Sequence, residues 1–224
     1  MSAYGEFSDL AAEPAVRGFL HEPPQPNGAG LVLTHGAGAN CQSKLLIALA
    51  GVFTDAGYLV LRCDLPFRQS RPHGPPFPAM AARDREGLRR AVDVLRSKTQ
   101  GRIFLGGHSY GGRQGSMLAA EQPQLVAGLL LLSYPLHPPT RLDQMRTAHF
   151  PSLHTPALFV SGERDGFGSK SEMESALELI PAKTELMMIA GTGHELITPR
   201  NRAELPARIV EAFLNFGRAE CFSQ

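Results

Sequence analysis

The segment with the clearest capacity for chemistry is Gly107-His108-Ser109-Tyr110-Gly111, a serine with a glycine two positions away on each side. It follows the apolar run Ile103-Phe104-Leu105 directly and opens a helix-like stretch ending at Glu121. A chain that reverses from strand to helix in so few residues holds its central residue in a strained conformation. Side chains at the flanking positions would keep strand and helix apart. This geometry lifts the Ser109 hydroxyl above the carboxyl ends of the strands, over a helix N-terminus that favours developing negative charge. The chemistry expected there is nucleophilic attack on an acyl carbonyl.

Such a serine needs a base, an acid to orient the base, and donors for the oxyanion. Of the eight histidines, His194 alone follows the last strand-like run, in Gly191-Thr192-Gly193-His194-Glu195. His21, His35 and His73 precede the serine, and His108 is expected to point away within the turn. His137, His149 and His154 come before or at the start of the next strand. For the acid, Asp165 follows the run Ala157 to Val160, with Glu163 as a near rival and Asp143 as a remoter one. This gives the chain order Ser, Asp/Glu, His. One oxyanion donor would be the backbone amide of Tyr110. The second is expected from the turn His35-Gly36-Ala37-Gly38-Ala39-Asn40, at the amide of Ala37. In that region His35 reads as a loop brace and Asp64 as a loop-structuring carboxylate. The turn lacks GxGxxG and GxxxxGK[ST], so it does not read as a nucleotide cradle. Cys41 and Cys63 lie near the same edge, but the elbow itself carries serine.

These residues are positioned by a recurring pattern of short, continuously apolar runs alternating with longer amphipathic ones. The runs are Leu31–Thr34, Tyr58–Leu61, Arg102–Leu105, Gly128–Leu132, Ala157–Val160 and Glu185–Ile189, preceded by a strand expected at Val16–Leu20. Apolarity on both faces means burial on both sides, as in the middle of a parallel sheet. Helices are expected over Ser43–Ala56, Ala79–Ser97, Gly111–Glu121, Ser171–Leu179 and Arg200–Phe216. The alternation predicts a doubly wound, mostly parallel α/β sheet in three α/β/α layers, as one domain over residues 1–224. Pro66–Pro78, with five prolines, reads as an extended loop. Tyr134–Pro156 reads as a long connection with at most one short helix, around Leu142–Ala148. A chain this short leaves no room for a full lid, so these two loops are expected to line an open cleft.

Composition narrows the function. Lys and Arg number 22 against 21 Asp and Glu, a formal charge of +1, which speaks against phosphate-driven nucleic-acid binding and against a polybasic membrane surface. No apolar run reaches the roughly 18 residues of a spanning helix. The first ten residues carry Glu6 and Asp9 and do not resemble a signal peptide. Three scattered cysteines, Cys41, Cys63 and Cys221, form no CxxC pair, so neither a disulfide framework nor a zinc site is expected, and a cytoplasmic location is.

With these residues in place the chain resembles an α/β-hydrolase from about Leu31 to Phe216. More narrowly, it resembles the small testis-expressed and NSL-complex hydrolase-like family related to dienelactone hydrolase. The matching strings are Leu33-Thr34-His35-Gly36-Ala37-Gly38, Gly111-Gly112-Arg113 and Ser133-Tyr134-Pro135-Leu136-His137-Pro138-Pro139, then Arg146-Thr147 with His149, and Arg164-Asp165 with Phe167-Gly168. Where that family often has arginine before the serine and proline after the aspartate, this chain has His108 and Gly166. The resemblance implies an α/β-hydrolase fold with a minimal or absent cap, no cofactor, and His137, His149 and Phe167 at substrate-binding positions.

The reading is a serine hydrolase of a small-molecule ester or thioester, with short acyl groups preferred. A non-catalytic scaffold on the same fold, or a cofactor-free enzyme of another reaction type with the same triad, are the alternatives. Arg62, Arg68, Arg71 and Arg113 are candidates for contact with an anionic acyl group, against the plainer reading as solvated or structurally paired arginines, which the sequence favours.

Overall fold

The computed structural model describes residues 4–11 and 13–218; Cys221 lies outside them. In chain order the strands are β1 (Tyr4–Asp9), β2 (Val16–His21), β3 (Gly30–Thr34), β4 (Leu59–Cys63), β5 (Ile103–His108), β6 (Gly128–Leu132), β7 (Ala157–Gly162) and β8 (Thr184–Ile189). They form one eight-stranded sheet in the order β1-β2-β4-β3-β5-β6-β7-β8. The β1–β2 and β2–β4 pairs are antiparallel and the remainder parallel. The helices are α1 (Lys44–Asp55), α2 (Pro66–Ser70), α3 (Ala81–Lys98), α4 (Tyr110–Glu121), α5 (Lys170–Leu177) and α6 (Leu205–Arg218).

Strand β6, Gly-Leu-Leu-Leu-Leu, shows why the apolar runs are continuous. Leu129 and Leu131 join one core with α3, α4 and α5, through Leu88, Val92, Leu118 and Met173. Leu130 and Leu132 join a second core on the opposite face with α1 and α6, through Leu46, Phe53, Ile209 and Phe213. Successive side chains leave a strand on opposite faces, so a strand covered on both must be apolar at every position. The result is a three-layer α/β/α fold, with no large cap among the described residues.

Four boundaries differ from expectation. Strand β1 was not foreseen: Tyr4–Asp9 is a largely exposed edge strand in which Glu6, Ser8 and Asp9 are polar and Phe7 packs against the core, so it carries no continuous apolar run. The Pro66–Pro78 segment is not wholly extended, because Pro66 opens α2 and Pro78 opens a 3₁₀ turn, Pro78–Met80. Proline is compatible with the first helical position, where its missing N–H costs nothing. The expected helix around Leu142–Ala148 does not form, and a 3₁₀ turn at Phe150–Ser152 stands in that connection instead. Helix α6 starts at Leu205 rather than Arg200. Before it, Thr198 and Asn201 bond each other's backbone through their side chains, at 2.7 and 3.3 Å, a local arrangement that competes with helix.

Candidate active site

The turn between β5 and α4 places Ser109 at φ 51° and ψ −115°, a strained conformation for a residue with a side chain. Its amide donates to the Leu132 carbonyl at 2.8 Å, and its own carbonyl accepts the Arg113 amide at 2.9 Å. The flanking glycines are sterically required. A Cβ on Gly107 would lie 2.5 Å from the Gly112 nitrogen, and one on Gly111 would lie 2.5 Å from the His35 carbonyl oxygen.

Three side chains distant in sequence meet above this sheet edge. The Ser109 Oγ lies 2.8 Å from His194 Nε2. On the other side of the ring, His194 Nδ1 lies 3.0 and 2.9 Å from Asp165 Oδ1 and Oδ2. A carboxylate can only accept here, so Nδ1 carries the proton and Nε2 is left to accept from the serine hydroxyl. Asp165 is buried, and its Oδ1 also accepts the Phe167 amide at 2.9 Å. The rival acids are elsewhere: Glu163 accepts the Gly191 amide at 2.8 Å, and Asp143 is exposed on the loop after β6.

The backbone of His194 is held as firmly as its ring. Its carbonyl accepts from Ser133 Oγ at 2.6 Å and from His108 Nε2 at 2.9 Å. His108 therefore does not point away as expected: its ring sits 5.2 Å from that of His194. Burial pushes the His108 imidazole towards its neutral form, against the hydrogen bond to the His194 carbonyl, which favours the protonated ring. Ser133 sits at φ 47°, a second strained residue directly beyond β6.

The loop that follows β3 is braced from three sides. His35 is fully buried; its Nδ1–H donates to the Gly36 carbonyl at 2.9 Å, and its Nε2 accepts the Leu65 amide at 3.1 Å. Asp64 accepts the Cys41 amide at 2.7 Å. Arg68 donates to the carbonyls of Ala37 at 2.7 Å, Ala39 at 2.8 Å, Gly74 at 3.0 Å and Arg71 at 3.0 Å. One guanidinium thus ties the β3 loop to the proline-rich loop. Tyr110 is anchored as well, its hydroxyl donating to buried Asp84 at 2.7 Å. Burial and that carboxylate push the phenol well above its usual range. Burial pushes the Cys41 thiol up to about 12 and raises that of Cys63 too, which leaves neither with thiolate character near neutrality.

A cleft of about 510 Å³ opens over Ser109 and is lined by Ala37, Tyr110 and Phe167, among others. The Phe167 ring lies 4.3 Å from the His194 ring. His137 and His149 are not among the lining residues. His137 is buried, with Nδ1 on the Pro138 carbonyl at 2.9 Å, and His149 meets Ser116 Oγ at 2.8 Å. Burial followed by the charges of Arg113 and Arg85 takes the His149 pKa down to about 4. Both histidines brace the Tyr134–Pro156 connection from inside. Arg146, given no role by sequence, enters the cleft with Arg113. No periodicity marks it, because it lies in an irregular segment. Among the described residues no cluster of three or more His, Cys, Asp or Glu is placed to hold a metal ion, and no helix is long and apolar enough to cross a membrane.

A family model described as an alpha/beta hydrolase domain matches residues 27–214. Among solved structures, the chain is similar to a dienelactone hydrolase from Anabaena variabilis, with a TM-score of 0.76 and 22% identity over 96% of this chain and 98% of that one. It is similar to an alpha-beta serine hydrolase homologue from Coxiella burnetii, with a TM-score of 0.76 and 17% identity over 95% and 98%. It is also similar to Est1E from Butyrivibrio proteoclasticus, with a TM-score of 0.73 and 15% identity over 95% and 98%. At these identities the likeness is one of fold.

Proposed function

The chain belongs to the alpha/beta hydrolase family, and from that premise we propose that it is a serine hydrolase cleaving carboxylic esters or thioesters of small molecules through an acyl-enzyme. The observation that carries this reading is the unbroken hydrogen-bond path from Ser109 through His194 to Asp165. As Ser109 Oγ attacks the acyl carbon, its proton passes to His194 Nε2. Asp165 keeps Nδ1 protonated and stabilises the imidazolium as it forms. The oxyanion is held by the backbone amides of Tyr110, at the start of α4, and Ala37, in the loop fixed by Arg68. When the tetrahedral intermediate collapses, the carbon–oxygen or carbon–sulfur bond breaks and His194 returns the proton to the leaving group. Water then attacks the acyl-enzyme, giving its proton to the same nitrogen; the bond from the acyl carbon to Ser109 Oγ breaks, His194 returns the proton to Oγ, and the acid departs.

The reading calls on no cofactor and assigns the protein to the cytoplasm. The modest cleft favours short acyl chains. Activity-based labelling tests it: a fluorophosphonate should modify wild type at Ser109 and leave Ser109→Ala unmodified. Esterase turnover should fall on the order of a millionfold in that variant. Folded wild type that neither labels nor cleaves a panel of acetyl to decanoyl esters would overturn the reading in favour of a non-catalytic interaction domain.

A further inference from the structure

Resting on the ester-cleaving reading above, we propose that Arg113 and Arg146 form an anion subsite beside Ser109, selecting substrates that carry a carboxylate or phosphate near the scissile bond. The structure separates these two from the other arginines of the region. Arg62 is fully buried, donates through Nε to His21 at 2.8 Å and through Nη1 to the Cys41 carbonyl, and lies over the rings of Tyr4 and Phe19. Arg68 is occupied by its four carbonyls. Arg71 folds over Phe77, its guanidinium carbon 4.4 Å from the ring centre. Arg85 is taken by Glu121 and Gln114.

Arg113 and Arg146 are far less committed. Arg113 lies one turn along α4 from Ser109, to whose carbonyl its amide is bonded at 2.9 Å. Its guanidinium neighbours the Tyr134 hydroxyl, and its Nε is buried without an acceptor. Arg146 is moored by its backbone, with its amide on the Leu136 carbonyl at 2.8 Å and its carbonyl accepting Tyr134 Oη at 2.6 Å. Its guanidinium reaches the Pro135 carbonyl, at 3.3 Å. Among the described residues neither arginine is in an ion pair, whereas Arg83, Arg85, Arg89, Arg90 and Arg96 each are.

Both arginines line the cleft that Ser109 opens into, and no aspartate or glutamate lines it. The carboxylate of Asp84, behind Tyr110, already accepts the Tyr110 hydroxyl and the Phe67 amide. The two cations oppose each other, since the charge of Arg113 joins burial in pulling down the pKa of Arg146. Two half-buried like charges with no counter-charge destabilise the fold by themselves. An oxyanion between them removes that repulsion and gains charge-assisted, fork-shaped hydrogen bonds. Pro75, Pro76 and Pro78 line the same cleft and suit a short apolar remainder.

Paired substrates test the proposal. On the acyl side, 4-nitrophenyl hemiglutarate is compared with the neutral 4-nitrophenyl valerate. On the alcohol side, 4-acetoxybenzoate is compared with its carboxamide. In at least one pair wild type should favour the anion by about tenfold or more in kcat/KM, and the preference should shrink as salt is raised. Arg113→Met/Arg146→Met should abolish that preference, and the double lysine variant should keep part of it. Equal rates within both pairs, or a preference that survives in the double methionine variant, would overturn the subsite.

If no ester is cleaved, the hydrolase reading fails by itself, and calorimetric titration with glutarate and with inorganic phosphate at low salt decides the subsite. Saturable binding that is at least about tenfold weaker in the methionine variant supports it, with the tighter probe identifying carboxylate or phosphate. No saturable binding to wild type, or binding undiminished in the variant, rejects it. Should the methionine variant not fold, the lysine variant replaces it: an intermediate affinity supports the subsite and an unchanged one rejects it.

Discussion

Gly111→Ala offers a sharp test of how the site is built, because two opposing effects can be sized. Gly111 lies in the first turn of α4, where alanine is the better helix former by about 1 kcal/mol. Yet the new Cβ would stand 2.5 Å from the His35 carbonyl oxygen and 2.6 Å from Thr34 Cγ2. That is 0.9 Å short of the 3.4 Å at which ordinary contact begins (3.4 minus 2.5). The oxygen cannot retreat easily: it is backbone of a residue whose ring is pinned to Gly36 and Leu65. Overpacking of this kind costs about 1–3 kcal/mol, so the net effect is destabilising by up to about 2 kcal/mol. The functional loss should be larger than the stability loss. Relief of the clash pushes α4 away from the β3 loop, separating the Tyr110 and Ala37 amides that we propose share one oxygen. A displacement of about 1 Å in a reacting geometry costs up to about a hundredfold. Gly51→Ala is the control. It too is a helical glycine, in α1, but a Cβ added there meets no atom within 4 Å, so it should stabilise by about 1 kcal/mol and leave turnover alone. Urea unfolding and kcat/KM on 4-nitrophenyl butyrate would be measured for both. A Gly111→Ala protein as stable and as active as wild type would refute the close-packing account of the elbow.

Two further outcomes are expected. Asp165→Asn keeps the shape but offers Nδ1 an amide instead of a carboxylate, so esterase turnover should fall on the order of ten-thousandfold with little change in melting temperature; unchanged turnover would remove Asp165 from the mechanism. His21 accepts the Arg62 Nε–H at 2.8 Å, and burial and that guanidinium lower its pKa from 6.5 to about 4. The unfolded chain therefore binds this proton first: the stability is fully present above about pH 6.5 and is lost as pH falls through 4. Between pH 7 and pH 5 wild type should lose up to about 2 kcal/mol from this group in urea titrations. His21→Gln, which keeps an acceptor and cannot titrate, should lose that much less, and parallel pH dependences would refute the assignment.

The layout of this protein was legible in sequence wherever burial on both faces left a continuous apolar mark. That is why β3 to β7 and the elbow between β5 and α4 appear where the residue pattern puts them. Strand β1 was silent because an edge strand with a wet face needs no apolar run. It is held instead by its antiparallel ladder with β2 and by Arg62 over Tyr4, a contact 58 residues apart in sequence. The convergence of Ser109, Asp165 and His194 followed from chain order, since in a parallel sheet the residues after each strand gather at one edge. What surrounds them was harder to read. His137 and His149 looked like cleft residues because they sit in distinctive strings, but both face inward, onto Pro138 and Ser116. His108 looked idle because alternation along β5 was expected to turn its side chain from the serine, whereas the returning loop after β8 gives its ring a partner in the His194 carbonyl. Arg146 lies in a segment with no period of any kind, and its place is set by two backbone bonds to Tyr134 and Leu136.

The two donors on the His194 carbonyl bear on how the protein ages under heat. Strand β8 forms the rim of the sheet and is only partly covered, which makes it an early element to fray. The imidazole follows that strand in the chain, yet it is moored inboard, to His108 on β5 and to Ser133 just past β6. Breathing of the outermost strand therefore reaches the imidazole only through a loop whose carbonyl is held by the middle of the sheet.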